Sequence, residues 1–313
     1  MTTLEGPTGV RQVDRRPLLG YGMYLLAATL WSLNGTMLKI TLHEHVPPLR
    51  LSQLRVTGAF LVILIWVVLR NRPALRLSRS EIVPLVLYGV LGIAVTQTLY
   101  LVTLSRMPIG IALLLEFTAP IMVALWFKFV RKEQVSNRVF AALALAMVGL
   151  GMVAQVWEGL TLDGLGVVSG LVAAVALAYY FLTGERLVQH RDSVSLVMFG
   201  FAAAAMFWAV VQPWWSFPWS TLDFATAFTP GGPPLPSWFY VGYLIVLGTV
   251  VPFALAVASM KHISASQASV MGMSEPVIAS AIAWVILGEV LAPIQVIGGF
   301  IVLVGILLAE RSR

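Results

Sequence analysis

Residues 113–122 read LLLEFTAPIM. Glu116 interrupts an apolar run, and Pro120 follows four residues later. An acidic side chain near the middle of a membrane helix costs several kcal/mol, about 2.5–3.5 for Asp on insertion scales. Proline adds a second cost, because it removes a backbone donor. A segment that only had to span a bilayer would gain nothing from either. The flanks say that it does span, since 108–128 is apolar over the roughly 20 residues a crossing needs.

The same reading extends along the whole chain. It has 313 residues, of which 59% are apolar and 11% charged, and a mean hydropathy of +0.89. Soluble domains carry about 25% charged residues, so most of this surface does not face water. Ten apolar stretches are long enough to cross: 19–38, 51–69, 82–102, 108–128, 138–156, 164–183, 194–211, 238–258, 264–287 and 293–309. The fold class expected is an all-α integral membrane protein of ten transmembrane helices. The run after Pro17 is too long for a signal-peptide core and reads as an uncleaved first span. Most connections are short. The exception, 212–237, is rich in Trp, Pro and Gly and reads as loop, with Trp214, Trp215 and Trp219 suited to the headgroup interface.

The net charge of +6 does not indicate nucleic acid as a partner, because the basic residues fall in short loops between apolar runs. With the N-terminus inside, the cytoplasmic side holds 16 of the 20 Lys and Arg. The outer side holds Lys39, Arg50, Arg55 and Arg106. That bias follows the positive-inside rule and predicts both termini in the cytoplasm. There is no cysteine, which excludes disulfides, a thiolate nucleophile and cysteine metal sites. The four histidines (His43, His45, His190, His262) lie scattered near span ends and offer no ligand set, so neither a metal nor any other cofactor is expected. No phosphate loop, Gly-x-Ser-x-Gly or catalytic triad is present.

The sequence also matches itself at a constant shift of 156 residues. Gly92 falls on Gly248, Leu99 on Leu255, Ala112 on Ala268, Pro120 on Pro276, Glu133 on Glu289 and Gly149 on Gly305. Apolar matches are cheap, but Pro and Glu at one register are not. Each copy would hold five spans. Five is odd, so the second copy enters from the opposite face and the repeat is inverted. The expected organisation is a cytoplasmic segment 1–17, a first five-helix repeat 18–156, a second 157–310 and a cytoplasmic tail 311–313. Inverted repeats build transporters with a substrate site near the midplane, opened alternately to either side.

Four stretches carry a family resemblance. MSEPVIASAIAWVILGE (273–289) resembles the ninth helix of EamA-type drug/metabolite transporters, with its Glu-Pro and closing Gly-Glu. TAPIMVALWFKFVRKE (118–133) holds the corresponding place in the first copy. WSLNGTMLK (31–39) and LSQLRVTGA (51–59) resemble the first-helix Trp-x-x-Asn and second-helix Arg segments. GIALLLEFTAPIMVAL (110–125) is also similar to the threonine/homoserine exporter branch, where a Glu-Phe pair precedes a proline. The resemblance implies ten helices, both termini inside, and mostly export of small metabolites, with protons as a candidate coupling ion.

The residues that would do this work can be named. Glu116, and Glu275 near the middle of the ninth helix, would bind a substrate ammonium or carry a proton; the alternative is a structural ion pair or a protonated core carboxyl. Arg55 would hold a substrate carboxylate, pair with Glu116, or snorkel to the outer interface. Asn34, Gln97 and Tyr100 offer neutral hydrogen bonds to a solute or to a neighbouring helix. Trp31, Tyr179, Tyr180 and Trp284 would line an apolar pocket. Pro120 and Pro276 free backbone carbonyls at cavity depth, as hinges or static kinks. Glu133 and Glu289 read as turn residues.

The expected protein is a secondary transporter exporting small metabolites, amino acids or related compounds first, across the bacterial inner (plasma) membrane by alternating access. Its partners are a small-molecule substrate and the lipid bilayer. Alternatives are efflux of drugs or lipophilic amines, a channel, and a membrane-embedded enzyme acting on a lipid-linked substrate.

Overall fold

The computed structural model describes residues 16–157, 163–228, 232–287 and 291–312. Arg11, Arg15, most of the expected cytoplasmic segment 1–17 and Glu289 lie outside these residues. The chain is almost all helix: α1 (Pro17–His43), α2 (Pro48–Arg70), α3 (Arg79–Leu87), α4 (Thr96–Arg106), α5 (Ile109–Glu116), α6 (Ala119–Phe129), α7 (Asn137–Val153), α8 (Gly164–His190), α9 (Ser193–Val211), α10 (Ser237–Ile245), α11 (Val251–Ser259), α12 (Ala265–Gly272), α13 (Glu275–Leu287) and α14 (Pro293–Arg311).

Several of these are pieces of one rod. A π-helical stretch, Tyr88–Val95, joins α3 to α4, and another, Val246–Val250, joins α10 to α11. Among the described residues, seven helical stretches are long and apolar enough to cross a membrane. They coincide with the second, third, fourth, sixth, seventh, eighth and tenth expected spans. The other three are α1, interrupted by polar side chains such as Ser32 and Asn34; α7, with 17 residues; and the broken pair α12–α13.

Local chemistry sets the ends. Asp163 accepts from the Gly166 N–H at 2.7 Å at the start of α8. Asp192 accepts from the Val194 and Ser195 N–H groups, both at 3.1 Å, at the start of α9. A Ser264–Gln267 capping box opens α12. Each satisfies donors that a helix N-terminus leaves orphaned. After α6 the chain reverses at Lys132, whose φ is 54°. The Glu133 N–H then donates to the Phe127 carbonyl at 3.0 Å, and its carboxylate lies 3.8 Å from Arg131.

Large aromatic side chains fill the interior, with Tyr24, Tyr88, Tyr180, Tyr240 and Phe201 almost wholly buried. Trp66, Phe129, Val210 and Phe300 project outward, more than 45% exposed. In water such a surface would be a liability; in a bilayer it is the solvated face. Helices α7 and α14 pack with their backbones nearly in contact. A Cβ added to Gly149 would sit 2.7 Å from the Gly298 carbonyl oxygen, and one on Gly305 would sit 2.9 Å from that of Ala142. Small residues at the seam replace the hydrophobic effect, which does not act between helices in lipid.

The segment 212–237 is more ordered than its composition suggested. Two 3₁₀ turns, Trp214–Ser216 and Trp219–Leu222, precede two short antiparallel strands, β1 (Ala225–Ala227) and β2 (Pro234–Pro236). Trp214, Phe217 and Trp219 stack with centroids 4.5–6.1 Å apart. Arg50 of α2 donates to Ser216 Oγ at 2.8 Å and lies over the Phe217 ring. A prolyl-rich strand pair at a sheet edge needs few ladder bonds, which is why composition alone reads it as loop.

Candidate functional site

The proline-bearing spans are not continuous helices. The fourth breaks at 117–118, between α5 and α6, and the ninth at 273–274, between α12 and α13. These breaks are 156 residues apart, and both are made in the same way. Thr118 donates its hydroxyl to the Leu115 carbonyl at 2.7 Å, and Ser274 donates to the Met271 carbonyl at 2.7 Å. Each hydroxyl residue sits two positions before its proline. Pro120 and Pro276 lack the N–H that would reach the carbonyls of Glu116 and Gly272, four residues back. The π-helical stretches obey the same shift, since 246–250 is 90–94 moved by 156.

The carboxylates flank the breaks. Glu116 is the last residue of α5 and Glu275 the first of α13. Shifted by 156, Glu116 falls on Gly272 and Glu275 on Ala119, so the two acids are not repeat equivalents. Their side chains nonetheless reach one central cavity of about 100 Å³. Ser32 of α1 donates to the Glu275 backbone carbonyl at 2.8 Å and fixes that break against the first span.

Eight of the ten candidate binding residues line this cavity: Glu116, Glu275, Asn34, Arg55, Gln97, Tyr100, Trp31 and Tyr180. Arg55 is only 4% exposed and donates from Nη2 to Thr249 Oγ1 at 3.1 Å. It therefore does not snorkel, and it makes no ion pair with Glu116 among the described residues. Asn34 Oδ1, both amide atoms of Gln97, and Arg55 Nε are buried without a protein hydrogen-bond partner. Buried polar groups are ordinarily paired, and these four unpaired atoms belong to three residues that line the one cavity. One wall is aromatic: Trp31 and Phe253 meet edge to face at 5.4 Å, and Tyr180 and Phe253 at 5.6 Å.

Two candidates are misplaced. Tyr179 does not line the cavity: Tyr180 and Phe181 take the inward places, and Tyr179 points about 100° from the first and about 200° from the second. Trp284 is 60% exposed. It lies nine residues beyond Glu275, half a turn out of phase, and so faces outward. Sequence reasoning missed Tyr24, Thr96, Phe181 and Phe253, which also line the cavity. For Tyr24 the helical phase of Trp31 was an available signal, the two being seven residues, about two turns, apart. Pro120 and Pro276 stand in the first turns of α6 and α13, where proline is tolerated. No three metal-ligating side chains come together among the described residues.

The comparisons with known proteins agree with this architecture. A solved crystal structure aligns with a TM-score of 0.70 at 19% identity, covering 93% of this chain and 98% of its own, which speaks for the fold. An uncharacterized inner membrane transporter, YicL of Salmonella typhimurium, is 20% identical over 84% of this chain and 86% of its own. An uncharacterized transporter of Archaeoglobus fulgidus is 27% identical over 71% of this chain and 76% of its own. The threonine/homoserine exporter RhtA of Escherichia coli K12 is 25% identical over 71% of this chain and 69% of its own. The model of the EamA-like transporter family matches twice, at residues 18–155 and 164–310. A multi-pass membrane chain with a polar cavity at two helix breaks, matched by that model over nearly its whole length, belongs to the EamA-like transporter family and is a transporter rather than an enzyme.

Proposed function

We propose that this transporter exports small metabolites across the bacterial inner membrane, with amino acids and related compounds first among them. The reading takes the chain as ten spans in two inverted five-helix halves, both termini cytoplasmic, with the cavity opened alternately to either side. One observation carries it. Two carboxylates at the ends of broken helices and a buried guanidinium with free hydrogen-bonding capacity share one small cavity. Drug-sized ligands occupy pockets of about 300–1,000 Å³, and a cavity of about 100 Å³ favours a small polar solute over a bulky one. The similarity to a threonine/homoserine exporter points the same way.

In the proposed cycle, Glu116 receives the substrate ammonium or exchanges it for a proton, and Glu275 supports it from the other break. Freed carbonyls at Glu116 and Gly272 accept further hydrogen bonds from the solute. The two halves then rock. Only a difference in affinity between the two states can drive that change, because a ligand bound equally by both shifts nothing.

The test is counterflow in proteoliposomes loaded with unlabelled amino acids, amines or organic acids, with one labelled solute followed outside. Accumulation of threonine, homoserine or a related amino acid supports the proposal. Exchange of lipophilic amines alone would replace it with amine efflux through the aromatic wall.

A further inference from the structure

The second π-helical stretch does something specific. Thr249 lies within it and is wholly buried. Its hydroxyl donates to the Leu244 carbonyl at 2.7 Å, five residues back, which is the spacing of a π turn. The same oxygen accepts from Arg55 Nη2 at 3.1 Å. The widened turn of the eighth span thus holds the guanidinium of the second span by a two-bond relay. That bond uses one of five N–H donors. Nε stays buried without a protein partner.

No carboxylate of the protein lies within ion-pair distance of Arg55 among the described residues, although two line the same cavity. A buried guanidinium with no anionic partner is costly, and the chain retains one at the solute site. Asn34 and Gln97 line the same cavity, with Asn34 Oδ1 and both amide atoms of Gln97 unmatched. Gly248, beside Thr249, lets Asn34 approach closer than any side chain at that position would allow.

We propose that Arg55 is the carboxylate subsite of the cavity, and that Thr249 is the positioning residue that aims it. The proposal rests on the reading of the cavity as the solute site and narrows the substrate class to solutes carrying both a carboxylate and an amine. The carboxylate takes the planar fork of Arg55, which suits that shape. The ammonium goes to Glu116 and Glu275. Such a zwitterion pairs with both kinds of charged group that line the cavity, whereas an amine alone leaves Arg55 without an anionic partner.

The experiment compares threonine with threoninamide and threoninol, which keep the amine and lose the carboxylate. Binding to purified protein is read by thermal shift and exchange by counterflow, in wild type, Thr249→Val, Thr249→Ser and Arg55→Gln. The expected result is that wild type prefers threonine by tenfold or more, as hydrogen bonds to a charged group imply. Thr249→Val, nearly the same size, raises the KM for threonine about tenfold, leaves the maximal rate and the weak amide binding unchanged, and Thr249→Ser restores the preference. Arg55→Gln removes the preference altogether. Equal loss for all three compounds in Thr249→Val, with Thr249→Ser no better, would make the threonine structural and overturn the proposal. So would wild-type preference for threoninol. A wild type that exchanges amines or other solutes but neither threonine nor any other amino acid would overturn the zwitterion assignment while sparing the transporter reading. Failure to exchange any solute would overturn both.

Discussion

At the scale of single residues, the cavity contrasts with its surroundings. Glu116→Gln keeps the volume and removes the ionisable carboxyl; exchange is predicted to fall at least tenfold while the melting temperature holds or rises, because a neutral amide replaces a buried group that is costly to ionise. Unchanged counterflow in that variant would remove Glu116 from the cycle. Trp284→Ala serves as the opposite control. Its side chain is 60% exposed, so stability should change by about 0.5 kcal/mol or less and exchange should not change. Composition and cost made Glu116, Glu275 and Arg55 legible in the sequence, since an ionisable group in a span is expensive enough to need a reason. Tyr179 and Trp284 show the limit of that logic. Aromatic side chains are cheap anywhere in a membrane protein, so only helical phase separates a lining ring from a lipid-facing one. Thr249 was invisible, because its role depends on a π turn that no residue pattern announces.

At the scale of elements, the breaks matter more than the helices. Proline was readable as a lost donor, but the hydroxyl two residues before it, at Thr118 and Ser274, completes the interruption by bonding the preceding turn. Pro120→Ala restores the donor to the Glu116 carbonyl. It is predicted to lengthen α5 into α6, raise the melting temperature, and slow exchange by several-fold; faster exchange would argue against a required break. The seam of α7 and α14 makes the reverse prediction. Gly305→Val places methyl groups against the Ala142 backbone, and overpacking there costs about 1–3 kcal/mol. Folded yield in detergent should drop, and a normal yield would mean that the seam yields more than its backbone contact implies.

At the scale of the whole molecule, one contact set closes the end from which both described chain ends emerge. Tyr21 of α1 donates to Glu310 of α14 at 2.6 Å, and Gln267 of α12 donates to both. If alternating access operates, this end must part. The chain has no cysteine, so a Tyr21→Cys, Gln267→Cys double variant can be bridged by a short reducible thiol reagent. Bridging is predicted to stop exchange and reduction to restore it; full activity while bridged would place the moving parts elsewhere. The alternation of apolar runs and basic loops was enough to anticipate a membrane bundle. It did not show the breaks at 117–118 and 273–274 or the π-helical stretches, because an interruption of one turn leaves an apolar run apolar.

The bare seam between α7 and α14 also constrains how the protein can change over generations. Gly149 faces Gly298 and Gly305 faces Ala142 and Ala146, so no side chain can grow at these positions unless its opposite recedes. The lipid-facing rows of the two helices are free of this constraint. At this line the two helices inherit each other's substitutions, and either one borrowed from a distant relative would have to bring the other with it.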